Sequence, residues 1–181
     1  FLYCGIYSIP SADDYFYANF VKEHGIIGAQ IEYYFGWSGR YIATFLITLF
    51  SLTRYEYYWL IPITCILSVL LSFHLFVRTL FFEIRDQLDL RVLSITFIAL
   101  YLSVTTAGYG HGVAVINEGY FWFSGAITYA GSLTLYLLLI SSFIWMLRGV
   151  YSSINFFISI VLTSLTIGLN ETAMFLVALT I

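Results

Sequence analysis

The chain has 181 residues, of which 61% are hydrophobic and only 9% charged, and its formal charge is −3. An ordinary soluble domain carries about 25% charged residues, so this composition excludes a soluble globular fold, and with no basic patch it excludes nucleic acid as a partner. A membrane β-barrel is excluded too, because its roughly 10-residue segments alternate apolar and polar residues and no such alternation is present.

The chain begins with Phe1 in the apolar run "FLYCGIYSI" and ends in "AMFLVALTI". Both runs are too short to span a bilayer, and they read as the remains of helices in a chain truncated at both ends. Cys4 and Cys65 lie in apolar runs and suggest neither a disulfide nor a metal motif. Pro10 breaks the first run. "SADDYFYANFVKEHG" then predicts a short helix with Ser11 as N-cap, Asp13 and Asp14 in the first turn and Gly25 as the stop. At about 1.5 Å per residue it reaches only about 20 Å, too short to cross. Phe16, Phe20 and Val21 suit a bilayer interface while Lys22 and Glu23 face water, which predicts an interfacial helix. "GIIGAQIEYYFGWSGR" continues at the same headgroup level, so residues 11–40 read as one interfacial loop.

Segment 41–53 is apolar but short, and "RYEYYW" after it reads as an aromatic anchor. Stretches free of Asp, Glu, Lys and Arg then predict spans over Tyr57–Val77, Val92–Gly110, Phe121–Leu147 and Ile154–Leu169, each long enough or nearly so for about 30 Å of hydrocarbon. "RTLFFEIRDQLDLR" (78–91) and "HGVAVINEGY" (111–120) read as loops, and "NET" (170–172) interrupts the last apolar region. The expected fold is therefore all-α: a polytopic transmembrane helix bundle forming one domain over 1–181.

Sidedness depends on segment 41–53. If it dips without crossing, the Asp pair, "NEG" and "NET" share one side, with Lys22, Arg40 and Arg54. If it crosses, the Asp pair joins six of the seven basic residues, and the positive-inside rule makes that side cytoplasmic. Length favours the dip; the charge count favours the crossing.

Acids in such a chain must sit at helix ends or in wet cavities, because one at the bilayer centre costs about 2.5–3.5 kcal/mol on insertion scales. Ser11-x-x-Asp14 resembles a capping box, which accounts for Asp14 structurally. Asp13 is explained less well; the functional alternative is a base, or a pair anchoring a divalent cation, at the membrane surface. Glu118 is followed by Trp122, Gly125 and Tyr129 at i+4, i+7 and i+11, one face of a regular helix. An acid with two aromatics and a small residue suits a sugar ring; the plain alternative is an aromatic belt at a helix end. Asn170 and Glu171 are either a further part of that site or an ordinary turn. His111 and His24 read as solvated, and His74, within a span, as a helix–helix hydrogen bond.

Taken in order, "SADDYFYANFVKEHGIIGAQIEYYFGWSGRY", "NEGYFWFSGAITY" and "GLNETA" resemble a bacterial family of multi-spanning membrane proteins similar to GT-C-type glycosyltransferases. The resemblance implies a first extracytoplasmic loop built on interfacial helices and carrying the acidic motif Asp13–Asp14, in the bacterial cytoplasmic (inner) membrane. It implies a polyprenyl-phosphate-linked sugar donor and a glycan or lipid acceptor at the outer face, with one loop Asp as general base. Arg40 of "WSGRY" would contact the lipid phosphate, while Glu118, Trp122, Tyr129, Asn170 and Glu171 would line the substrate site. A divalent cation on Asp13 and Asp14 is an open expectation. The competing classes are a transporter or flippase of a polyprenyl-linked sugar, and a structural membrane subunit whose acids only cap helices.

Overall fold

In a computed structural model the described residues are 2–10, 12–36, 39–51, 57–84, 89–106, 117–149 and 152–180. They form helices and turns, with no strand among them. The expected Ser11 cap, Trp37 and Ser38 of the "WSGRY" run, Arg54 of the aromatic anchor, Arg85 and His111 lie outside the described residues, as does the side chain of Glu118.

Helix α1 (Leu2–Ile6) is followed by α2 (Ala12–Gly36), then α3 (Tyr41–Phe50), α4 (Leu60–Leu80) and α5 (Leu90–Thr106). Helix α6 runs over Phe123–Leu147, α7 over Ser153–Leu169 and α8 over Glu171–Thr180. Two of these, α4 and α6, are long and apolar enough to cross a membrane. The expected span at Tyr57–Val77 is thus shifted: α4 begins at Leu60, which places Pro62 in the first turn, where its missing N–H has no intrahelical partner to lose. The expected loop 111–120 is also partly helical, since Asn117–Phe121 forms a wide π turn.

Gly25 does end a helix, as expected, but a second one starts immediately. Its φ of 69° and ψ of 169° lie in a region open essentially to glycine alone, and the kink folds α2 into a hairpin. Val21 and Ala29 are buried there against Tyr33. Val21, expected at the interface, is therefore a core residue of the hairpin, whereas Lys22 and Glu23 are exposed as expected.

Helix α4 lies parallel to α6. At one end Tyr58, just before α4, bonds the amide of Phe123, the first residue of α6, at 3.2 Å. At the other end Arg148, just after α6, donates to the carbonyls of Thr79 and Leu80 at the end of α4. Arg148 also faces Glu83 at 3.6 Å and lies over the Phe82 ring. Helix α5 returns beside α4, joined by the His74–Ser94 hydrogen bond of 3.1 Å that the sequence predicts as a helix–helix contact. Helix α7 returns beside α6, with Ser142 and Ser159 bonded at 2.7 Å. Hydroxyls on these apolar helices bond back to carbonyls three or four residues earlier, as with Ser72 to Val69 and Thr166 to Leu162, leaving little unsatisfied polarity.

Helix α3 is the exception to this end-to-end packing. Arg40, at its start, pairs with Glu171 at 2.6 Å, and Phe50 and Ser51, at its end, share a small cavity with Asp14 and Tyr58. Both termini of α3 therefore lie at the same end of the long helices. Gly168 lets it seat on α7: a Cβ there would come within 2.5 Å of Ile42 and 2.7 Å of the Tyr41 ring. Ala43 and Ile47 of α3 complete a core with Tyr58, Phe123, Ile127 and Leu169, directly beneath the site.

Candidate functional site

Consecutive helical residues point about 100° apart, and that divergence separates the two acids. Asp14 turns inward and is only 5% exposed. Its Oδ2 accepts from the Tyr58 hydroxyl, and its Oδ1 accepts from the backbone amide of Ser124 at 3.1 Å. The Tyr58 oxygen in turn accepts from the Phe123 amide. Two of the amides that the start of α6 leaves without intrahelical partners are thus satisfied by side chains from distant segments. The carboxylate also meets the positive end of the α6 dipole. Asp14 therefore caps a helix other than its own, which the capping-box pattern does not anticipate. Bonds to a charged group contribute roughly 1.5–3 kcal/mol each, enough to justify burying this acid.

Asp13 turns the other way, is exposed, and lines a cavity of about 400 Å³. Ligand sites of roughly 300–1,000 Å³ hold small organic molecules, and this cavity falls within that range. Arg40, Thr44 and Ile47 of α3 form one wall, and Trp122, Thr128 and Tyr129 another. Glu171 closes the rim beside Arg40. Tyr17, one helical turn from Asp13, also lines the space. Burial first, and then the nearby Asp13 charge, hold its phenol above the ordinary tyrosine range, so it stays neutral.

The geometry brings together Asp13, Arg40, Trp122, Tyr129 and Glu171 of the residues singled out in the sequence. Trp122, Gly125 and Tyr129 do share the cavity, but not as one face of a regular helix starting at Glu118. Trp122 is extended (φ −92°, ψ 122°) and breaks the run between the π turn and α6, and Ala126–Ala130 is a second wide turn. Asn170 is elsewhere. Its Oδ1 accepts from the Thr172 amide at 2.8 Å, an N-cap for α8, and it borders a separate groove with Tyr129, Leu133 and Leu176. Tyr58 and Ser124 belong to the site and were not legible. In sequence Tyr58 is one of several aromatics near the start of a span, and Ser124 contributes through its backbone.

The donor set does not fit a divalent cation held by the acid pair. Both Asp14 oxygens accept hydrogen bonds, Asp13 points away, and among the described residues no three His, Cys, Asp or Glu side chains gather as ligands. No family model, curated protein or solved structure matches this chain.

Proposed function

We propose that this chain is the core of a membrane glycosyltransferase of the GT-C type, a multi-pass protein of the bacterial cytoplasmic membrane. It would transfer a sugar from a polyprenyl-phosphate donor to a glycan or lipid acceptor at the outer face. The observation that carries the reading is the 400 Å³ cavity at the helix ends, where Asp13, the aromatics Tyr17, Trp122 and Tyr129, and the Arg40–Glu171 pair converge. The surface supports a lipid setting: only 28% of the most apolar window of each long helix is buried, whereas the core helix of a soluble protein is mostly buried. Leu67, Leu71, Ile95, Leu100 and Phe157 stand exposed on α4, α5 and α7, side chains suited to face lipid. The placement of both α3 termini at one end favours the dipping form of segment 41–53, which puts the acids and Arg40 on one side.

In this mechanism the Asp13 carboxylate takes the proton from an acceptor hydroxyl as its oxygen attacks the anomeric carbon. The bond from that carbon to the donor phosphate breaks, its electron pair leaves with the polyprenyl phosphate, and the anomeric centre inverts. Trp122 and Tyr129 offer apolar faces to the sugar ring. Arg40 supplies positive charge toward the departing phosphate, with Glu171 holding its orientation. Asp14 does no chemistry; it fixes the wall.

A transporter places broken helices near the middle of the span. The break at Trp122 lies at the start of α6 instead, which favours a surface site. The test uses full-length protein in inverted and right-side-out membrane vesicles supplied with synthetic polyprenyl-phosphoryl [14C]hexoses. Asp13→Asn lowers transfer by about 10²–10⁴-fold at normal abundance, while cysteine labelling places residue 13 outside. Full transfer by Asp13→Asn, or a cytoplasmic residue 13, overturns the proposal.

A further inference from the structure

Trp122 occupies a position that its own chemistry disfavours. Its indole Nε1 is buried and has no hydrogen-bond partner among the described residues. An unsatisfied buried donor costs about 1–3 kcal/mol, so something else must keep the ring against the cavity. The backbone on both sides of Trp122 is gripped. On the N-terminal side the Ser8 hydroxyl donates to the Phe121 carbonyl at 2.5 Å. On the C-terminal side Tyr58 receives the Phe123 amide and Asp14 the Ser124 amide. Tyr58 is itself buried, packed edge-on to the Phe123 ring at 5.8 Å between centroids, and its hydroxyl links the carboxylate to the helix start. Three residues from two distant segments therefore hold the one extended residue between the π turn and α6.

We infer that Ser8, Asp14 and Tyr58 form a three-point grip that sets Trp122 as the cavity wall, with Tyr58 as its positioning residue. The grip concerns the cavity of the proposed transfer, but its test needs no substrate, so either reading can fail while the other stands. Tyr58 does not react; it converts the fixed position of a buried acid into the fixed position of a ring one residue before the amide it bonds. The consequence for a ligand is a preorganised stacking face, which reduces the ordering cost of binding.

The experiment uses full-length protein in detergent with every tryptophan other than Trp122, Trp37, Trp59 and Trp145 among them, replaced by Phe, so that Trp122 alone emits. In Tyr58→Phe the emission shifts to the red and acrylamide quenching roughly doubles, because the released segment opens locally, while far-UV circular dichroism is unchanged. Ser8→Ala moves both signals the same way by a smaller amount, and Lys22→Ala, on the exposed face of α2, moves neither. Unchanged Trp122 emission and quenching in Tyr58→Phe with its helices intact overturns the inference. If Tyr58→Phe does not accumulate, Ser8→Ala decides, and an unchanged signal there overturns it equally.

Discussion

The two ends of the α4–α6 pair are closed by side chains of opposite charge, and the contrast separates a structural clasp from a site. At one end Asp14 receives the amides that begin α6, through Tyr58 and directly. At the other, Arg148 donates to the carbonyls that finish α4. Each charge has the sign that the local helix dipole favours, and each joins the two parallel helices. The difference is burial. Asp14 is sealed from solvent next to a cavity, whereas the Arg148 side chain is 21% exposed and its partner Glu83 77%. Water can replace much of what Arg148 does; nothing replaces Asp14.

Substitutions test that asymmetry, beginning with its strongest form. Asp14→Ala leaves the Tyr58 hydroxyl and the Ser124 amide buried without their acceptor, so unfolding in an SDS titration shifts by about 3–5 kcal/mol. A loss no larger than that of Arg148→Met would erase the distinction between the ends. Gly168→Ala is next: its methyl group meets Ile42 and Tyr41 at 2.5 and 2.7 Å, overpacking worth about 1–3 kcal/mol. It displaces α3 and loosens only the end that carries the cavity, which thermal unfolding with accessibility labelling at Thr44 and Thr79 can resolve. Arg148→Met is mildest, at about 0.3–1 kcal/mol, and leaves Trp122 emission untouched. A red shift of Trp122 in that variant would show that the two ends are coupled.

Composition made the all-helical class and the two long apolar helices legible, because a run of apolar residues long enough to form them leaves few other solutions. Boundaries were less legible: the aromatics at 57–59 extend the apolar run without continuing the helix, which starts at Leu60. Asp13, Arg40, Trp122, Tyr129 and Glu171 could be singled out because polar or amphipathic residues beside long apolar runs must find a helix end or a cavity. Their convergence could not be read, since it depends on α3 lying with both termini at one end. The partners of Asp14 were not legible either. A local capping pattern accounts for an acid within its own helix, while the partners of Asp14 lie 44 and 110 positions downstream.

The glycine-kinked hairpin of α2 bears on the order in which the molecule comes together. Val21, Ala29 and Tyr33 meet across a few turns of helix, and contacts so close in sequence close quickly. The hairpin can thus be in place while the ribosome is still adding the later helices, before Tyr58 and Ser124 reach Asp14. Tyr58 comes next in the chain and Ser124 much later, and the cavity beside the acid is complete only when Glu171, at the start of α8, reaches Arg40. Assembly of the pocket is then a late event in the life of the chain, and a nascent protein stalled before residue 123 would carry the acids without the site.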